Sequence, residues 1–214
     1  MERIYDGILY ERRGQVWLVK SCEDTNITDL RIPSQIDGHS VYCIGGGAFA
    51  GCYNLKSVKL PKTIGEIRHH AFANCSELQE VSIASDTVIV GGSAFVNCHK
   101  LHTVITASDI TVGTDAFANC IALSHIDAKI DGLHRGGFDG CVSLKELHFA
   151  QNIYVFLIAG FIKSAVEKLY FAGNIPGVTE DLSEDRLYDI EWHCTKNSNI
   201  TELMHLGFTV LVED

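Results

Sequence analysis

A short pattern that recurs every 21 to 23 residues constrains the fold of this 214-residue chain more than any other feature. Five phenylalanines mark the pattern, each preceded by Ala or Gly and followed three positions later by Cys. An aliphatic residue recurs five positions before each Phe, Leu six positions after it, and Val, Ile or Leu nine positions after it. Coincident registers of this kind indicate a repeat array, in which every repeat forms one supersecondary unit. The phenylalanines are Phe49, Phe72, Phe95, Phe117 and Phe138, and the cysteines are Cys52, Cys75, Cys98, Cys120 and Cys141.

The two halves of each repeat predict different local structures. Apolar residues alternate at the end of the Leu-x-x-Val-x-Leu half, as in Val58-Lys-Leu60, which is typical of a short strand with one buried face. The Ala-Phe-x-x-Cys half spaces its apolar residues three apart, which predicts a single helical or 3₁₀ turn. Two positions after Phe the chain has Gly or Asn, so we expect a positive φ there. These positions are Gly51, Asn74, Asn97, Asn119 and Gly140.

One such unit cannot bury its own apolar edge, so the repeats must stack into a solenoid with one continuous core. Its strands are expected to pair in parallel, about 4.8 Å apart. The stretch from Ile44 to Pro61 resembles the BspA-type leucine-rich repeat (LRR), and the resemblance covers residues 27–172. It implies an α/β fold: a right-handed leucine-rich-repeat solenoid with parallel strands on its concave face and short helical or 3₁₀ turns on its convex face.

The pattern weakens towards both ends of the chain. Leu187 to Trp192 fits the strand pattern again, whereas Phe161 is followed by Ser164 where Cys is expected. Two strands flanking Arg13-Gly14 predict a hairpin that closes the first coil. A capping box at 199–202, a stop at Gly207 and a strand at 208–212 predict a cover for the last coil. We expect an N-terminal hairpin cap at 1–26, repeats at 27–172, and a degenerate last repeat with a C-terminal cap at 173–214.

The repeat cysteines have two interpretations, a metal or redox array and a ladder of buried free thiols. No pair has Cys-x-x-Cys spacing, and the parallel Cβ directions of stacked equivalents disfavour disulfide bridges. Small apolar filling is the usual role of buried Cys, so we expect free thiols. Any disulfide would have to be found among Cys22, Cys43 and Cys194, which lie outside the register.

The strand residues on either side of the central Val are expected to face the concave surface. They form two columns of mixed charge and polarity, which suit a macromolecular partner. The expected partner-binding residues are Arg31, Lys59, Glu80, Thr103, Ile105, His125, Asp127, Glu146, His148 and Tyr170.

Two adjacent rungs of this surface combine imidazoles with carboxylates. His125 is expected beside Glu146 and Asp127 beside His148, in a quadrilateral of about 4.8 Å by about 7 Å. Imidazole and carboxylate are both ligands for divalent metals, so a metal site is one hypothesis. The alternative is two exposed acid–histidine pairs, each contributing less than about 1 kcal/mol.

The composition of the chain and the absence of known catalytic motifs exclude several classes of function. A net charge of −10 without any basic run disfavours binding to nucleic acid or to an anionic membrane. Gly45-Gly-Gly47 lacks the Lys-Ser/Thr of a phosphate-binding loop, and no hydrolase motif occurs, so we expect neither a cofactor nor an enzyme. The main hypothesis is a protein-interaction module that uses the concave face. A structural or self-associating unit driven by the apolar segment 153–162 is an alternative, and the oligomeric state stays open.

The N-terminal residues show no secretory signal, and the longest apolar run is ten residues against the roughly 20 that a membrane helix needs. We therefore expect a cytoplasmic protein without membrane insertion. The resemblance to BspA-type repeats implies adhesion and binding to host proteins, which would place the protein outside the cell or at its surface if a leader precedes this sequence.

Overall fold

The predicted solenoid is confirmed by the computed structural model, which describes residues 1–175, 188–195, 204 and 208–213. The Leu-x-x-Val-x-Leu segments of successive repeats pair in parallel, with Val58 beside Val81 and Val81 beside Val104. They form what we call the first sheet. Its strands are β4 (Asp29–Arg31), β7 (Ser57–Leu60), β9 (Glu80–Ile83), β11 (Thr103–Thr106) and β13 (His125–Asp127).

A second strand in each repeat was not predicted. It ends on the aliphatic residue that lies five positions before Phe, for example Ile67 or Val90. These strands also pair in parallel from coil to coil and form the second sheet. They are β6 (His39–Ile44), β8 (Glu66–Ile67), β10 (Val88–Val90), β12 (Ile110–Val112) and β14 (Ile130–Leu133).

The N-terminal hairpin covers the edge of the second sheet. β2 (Ile8–Arg13) and β3 (Val16–Cys22) pair antiparallel around the turn at Gly14, and β3 pairs in parallel with β6. β1 (Glu2–Tyr5) extends the hairpin, and β5 (Gln35–Ile36) folds back on β6. The boundaries of the N-terminal, repeat and C-terminal parts remain predictions.

The later coils continue from the second sheet. Their strands are β15 (Glu146–Phe149), β16 (Val155–Phe156), β17 (Lys168–Phe171), β18 (Glu191–Thr195) and β19 (Thr209–Glu213). A 3₁₀ helix spans Ile158–Gly160 in place of the earlier turns. No helix of the described residues is long and apolar enough to cross a membrane.

The register of the last predicted strand was wrong by two residues. Lys168 lies beside Glu191, and not beside Asp189, because Trp192 occupies the core position opposite Leu169 and stacks on Phe171 at 5.7 Å. A shift of two keeps each residue on its expected face, since side chains alternate with a period of two. The capping box at 199–202, the stop at Gly207 and the start of the strand at Leu187 lie outside the described residues.

The convex turns are not helical, so the α/β label and the helical convex face were wrong. The N–H of Ala50 donates to Gly47 within its own coil at 3.0 Å, whereas the N–H of Phe49 donates to Ala71 of the next coil at 2.8 Å. This alternation recurs in the following coils. An N–H group committed to the next coil cannot make the i→i−4 bond of a helix, so the turns continue the ladder between coils and the fold is a β-solenoid.

The predicted positive φ after each Phe is confirmed. Asn74, Asn97 and Asn119 each have φ of 61°, and Gly51 and Gly140 have φ of 73° and 74°. The asparagines also form a ladder: the Nδ2 of Asn97 donates to the Oδ1 of Asn74, and the Nδ2 of Asn119 to the Oδ1 of Asn97, both at 2.9 Å. A second left-handed position, two residues before Phe, was not predicted; it holds Gly47, His70, Ser93, Asp115 and Gly136.

The five phenylalanine rings stack through the core in one column. Their centroids lie 5.1, 5.1, 5.2 and 5.6 Å apart, and their planes agree within 7°. All five rings are buried. The ring column therefore holds the coils at nearly the spacing that parallel backbone pairing requires.

Truncating the central ring tests this column. We expect Phe95→Ala to lower the free energy of unfolding by about 3–5 kcal/mol, because it opens a cavity between two stacked rings. Urea denaturation measures the change. Val142→Ala, at a side chain that is 60% exposed, serves as the control and should change the stability little; equal effects of the two substitutions would contradict the packing role.

The asparagine ladder gives a second prediction. Asn97→Gly keeps the left-handed conformation but loses the ladder bonds, so we expect a cost of about 1 kcal/mol. Asn97→Ala loses the same bonds and adds the left-handed strain of a Cβ, which costs about 1 kcal/mol more. Thermal or urea denaturation should rank the wild type above the Gly variant and the Gly variant above the Ala variant. An Ala variant as stable as the Gly variant would argue against strain at this position.

Candidate functional site

The first sheet stops at β13, in the middle of the predicted concave face. β13 pairs with β11, and no ladder joins it to β15, the equivalent strand of the next coil. Instead, Phe149 at the end of β15 pairs with Ile130 of β14, and the N–H of Ala150 donates to the carbonyl of Ile130 at 2.9 Å. The outward face is therefore interrupted between two strands that the sequence predicts as neighbours.

The lengths of the corners between the two sheets account for the break. The corner that follows the strand of the first sheet has five residues after β7, four after β9, three after β11 and two after β13. After β15 it returns to five residues. Because the corner after β13 has only two residues, β14 begins close to the end of β13. The strand of the next coil, β15, therefore pairs with β14 and not with β13.

A cleft of about 410 Å³ lies where the ladder is missing. Ile126 and Ala128 are half-buried there, whereas the residues equivalent to Ile126 in the earlier coils, Val58, Val81 and Val104, are buried. The cleft has polar walls and a partly apolar lining. The lining residues are Thr106, Ala107, Ser108, Asp109, Ser124, His125, Ile126, Asp127, Ala128, Lys129, Glu146 and His148.

The four residues of the predicted metal site all line this cleft, but not at the corners of a compact quadrilateral. His125 and Asp127 lie on β13 and Glu146 and His148 on β15, and these two strands do not pair. Among the described residues, no three His, Cys, Asp or Glu side chains lie close enough together to hold a metal ion. The prediction that His125 neighbours Glu146, and Asp127 neighbours His148, was wrong because the corner lengths differ.

Rings stack on the outward face beyond the cleft. The His148 ring lies 4.5 Å from Tyr170, and Tyr170 lies 4.4 Å from His193, with interplanar angles of 8° and 23°. Tyr170 lies on the strand that follows His148, so the opposite face of the His148 imidazole is directed towards the cleft. The Nε2 of His148 also lies 3.4 Å from a carboxylate oxygen of Glu146 on the same strand. The sequence did not predict His193 in this column because of the register shift.

The remaining predicted residues lie on the outward face, where the strand pairs place them in two columns. Arg31 lies beside Lys59, and Ile105 beside Asp127, in the second column. Lys59, Glu80 and Ile105 are exposed, and Thr103 is half-buried. At one end of the face, hydrogen bonds from Ser57 and Thr28 lower the pKa of Asp29. At the other end, pairing with Lys168 lowers the pKa of Glu191.

Several of the lining residues that the sequence reasoning missed belong to the corners. Ser108, Asp109 and Lys129 are not on strands, so the columns of the predicted sheet do not include them. The sequence does indicate that these corners differ, because the intervals between the phenylalanines shorten from 23 to 21 residues towards the cleft. A shortening interval indicates a changing corner.

The repeat cysteines form a buried ladder of free thiols, as predicted. From Cys75 onwards, each Sγ donates to the carbonyl of the Phe of the preceding coil, for example Cys98 to Phe72 at 3.2 Å and Cys141 to Phe117 at 3.1 Å. Burial raises the pKa of Cys141 to about 12, and the neighbouring Cys98 thiol together with burial raises the pKa of Cys75. These thiols fill the core and do not present a thiolate to solvent.

The accessibility of the thiols is testable. Cys22 is half-buried, and the other seven cysteines are buried. We expect an aromatic disulfide reagent at pH 8 to modify about one thiol per native chain, because only thiolates that the reagent can reach react. The remaining thiols should react after unfolding in guanidinium. Cys22→Ser should abolish the reaction of the native protein, and rapid modification of several thiols would show that the ladder is accessible.

Comparisons with known proteins agree with this architecture. The family model of the BspA type leucine rich repeat region matches six copies, over residues 19–132 and 107–185. No curated protein matches the chain.

Three solved structures are similar to this chain at low sequence identity. A leucine-rich cell-surface protein of Faecalibacterium prausnitzii has a TM-score of 0.66 at 19% identity, with 99% of this chain and 54% of that chain covered. A leucine-rich repeat protein of Bacteroides ovatus gives 0.54 at 22% identity, with 98% and 67% covered. A leucine-rich repeat protein of T. pallidum gives 0.53 at 24% identity, with 81% and 86% covered. The chain thus spans about half the length of the first of these proteins, and the likeness concerns the fold.

Proposed function

Because the chain belongs to the BspA-type leucine-rich-repeat family, we propose that it is a non-enzymatic interaction module that binds a protein partner. The proposed binding surface is the outward face of the first sheet together with β15 and β17. Leucine-rich-repeat folds commonly serve interaction or adhesion, since stacked repeats present an extended surface. The residues proposed for partner binding are Arg31, Lys59, Glu80, Thr103, Ile105, His125, Asp127, Glu146, His148 and Tyr170.

The observation that carries this proposal is the alternation of buried and outward-facing side chains along the paired strands of the first sheet. Behind the face, β7 and β9 bury both of their core residues, as at Val58 and Leu60, while the residues between them point outwards. The outward side chains of β7 and β9 include Lys59 and Glu80, for which the structure shows no ion pair or side-chain hydrogen bond among the described residues. Charged groups without partners, spread over a flat polar sheet, suit a large charged surface better than a small molecule.

The charges on this face differ between its first strands and the cleft in its middle. Arg31 and Lys59 lie on β4 and β7 close to Asp29 and Glu80, whereas Asp127 and Glu146 line the cleft. A partner with a complementary distribution would present groups of both signs to the first strands and basic groups to the cleft. Complementarity of this kind fixes the orientation of a partner and speeds its association.

Adhesion at the cell surface is the second candidate function. It is supported by the solved structure from Faecalibacterium prausnitzii, which is that of a cell-surface protein. Adhesion would use the same outward face, so it differs from the first candidate in the location of the partner and not in the binding surface.

Self-association through the apolar segment 153–162 has less support. Phe156, Ile158 and Phe161 of this segment are buried in the core, and Tyr154 is its exposed large side chain. The segment contributes β16 and the 3₁₀ helix to the solenoid, so most of its apolar surface is already covered. Light scattering coupled to size exclusion measures the oligomeric state directly.

Exchanging two charges tests the proposed face. We expect the double variant Lys59→Glu/Glu80→Lys to lose partners that the wild type captures from an extract of the native cell, because the exchange inverts the local charge pattern while the net charge stays the same. Quantitative mass spectrometry of the captured proteins is the measurement.

A matched exchange away from the face provides the control. Lys100 and Glu77 form an ion pair at 2.7 Å outside the two outward columns, so Lys100→Glu/Glu77→Lys also preserves the net charge and the pair. This control should retain the wild-type partners. If both double variants capture the same partners as the wild type, the outward face of the first sheet is not the binding surface.

A further inference from the structure

The lining of the cleft between β13 and β15 has more carboxylates than ammonium groups. Asp109, Asp127 and Glu146 line it against one ammonium group, that of Lys129. Among the described residues, Asp109 and Asp127 form no ion pair. Glu146 lies 3.4 Å from the imidazole of His148 and beside Lys168 on β17, whose pKa the pairing with Glu191 and the charge of Glu146 raise. Glu146 and His148 are about half exposed, at 53% and 46% of their side chains. The walls therefore favour a cationic group.

The ring stack on the outward face ends at this cleft. The rings of His193, Tyr170 and His148 follow one another at 4.4 and 4.5 Å, and the free face of His148 is directed towards β13. In an uninterrupted sheet, the next position of the column would belong to Asp127 on the neighbouring strand. Because that strand has separated, the position on the imidazole face is open, and a planar group could continue the stack.

One chemical group satisfies both features. A guanidinium is planar, stacks on aromatic faces, and presents N–H donors in a fork that matches a carboxylate, whereas an ammonium is a compact point charge that does neither. The cleft volume of about 410 Å³ lies within the range of roughly 300–1,000 Å³ that is typical of ligand sites. A side chain can reach this volume from a protein lying across the face.

We propose that the cleft binds the guanidinium group of an arginine side chain of the protein partner, stacked on His148 and paired with Glu146 and Asp127. This inference rests on the proposed function, because it names the anchor residue of the partner. Ser108 and Ser124 lie on the β13 side of the same cleft and supply further hydrogen-bonding groups.

The test uses N-acetyl-arginine amide as the probe and the full chain with ¹³C-labelled histidine. We expect a saturable shift of the His148 ring resonances with a dissociation constant in the low-millimolar range. N-acetyl-citrulline amide, which has the same shape without the charge, should bind at least about tenfold more weakly, because a charge-assisted pair is lost. N-acetyl-lysine amide should also bind more weakly, since it does not stack.

Substitutions locate the effect. Glu146→Gln should weaken binding of the arginine probe, and Asp127→Asn should do the same from the opposite wall. Glu77→Gln, outside the two outward columns, should leave it unchanged. The proposal is overturned by an absence of saturable shifts, by equal binding of the lysine probe, or by binding that persists unchanged in both cleft variants.

The probe measurement is independent of the partner. If the arginine probe fails while the exchange of Lys59 and Glu80 still removes captured partners, the anchor is wrong and the proposed function stands. If the probe binds as described while both charge exchanges leave the captured partners unchanged, the cleft recognises guanidinium groups, and the outward face of the first sheet is not where the partner binds.

Discussion

The rise from one coil to the next is the constraint on which the rest of the structure depends. Parallel backbone pairing sets this rise at about 4.8 Å, and the phenylalanine rings stack at 5.1 to 5.2 Å over the first four coils of the column. Because the two spacings nearly agree, one translation from coil to coil allows the backbones to pair and the rings to stack. The same translation allows the thiols and the convex asparagines to form their hydrogen bonds. At the step from Phe117 to Phe138 the ring spacing widens to 5.6 Å, and the ladder of the first sheet ends at the same step.

The same translation explains why the convex side contains turns and not helices. A helix closes its hydrogen bonds within one segment, whereas a solenoid with this rise places the carbonyls of the next coil within reach of every second N–H group. Residues with positive φ lie on both sides of Phe, for example Ser93 and Asn97, and they interrupt the helical backbone conformation within each turn. The convex surface is therefore a third region of contact between coils, in addition to the two sheets.

Most of the interior could be predicted from the sequence, because side chains that stack must recur at fixed positions. The ring column, the buried thiols, the first strand and the positive φ at Asn97 all follow from recurring residue types. The second strand was missed because two or three alternating residues, such as Glu66-Ile67, carry little periodicity. The helical turn was predicted wrongly because a spacing of three fits both a helix and a turn whose remaining N–H groups bond elsewhere. The geometry at His125 and Glu146 was missed for a different reason: the side chains recur faithfully, and only the number of residues between the strands changes.

The corners of the solenoid shorten towards β13 and return to their full length after β15, and this has a consequence for how such arrays diversify. Repetition makes the buried residues of successive coils equivalent, so the outward residues alone would distinguish one coil from the next. A shorter corner keeps the same types of buried residue and gives one coil a different shape as well. Two chains with the same buried residues and different bends would therefore be selective for different molecules, and a comparison restricted to their hydrophobic positions would treat them as the same.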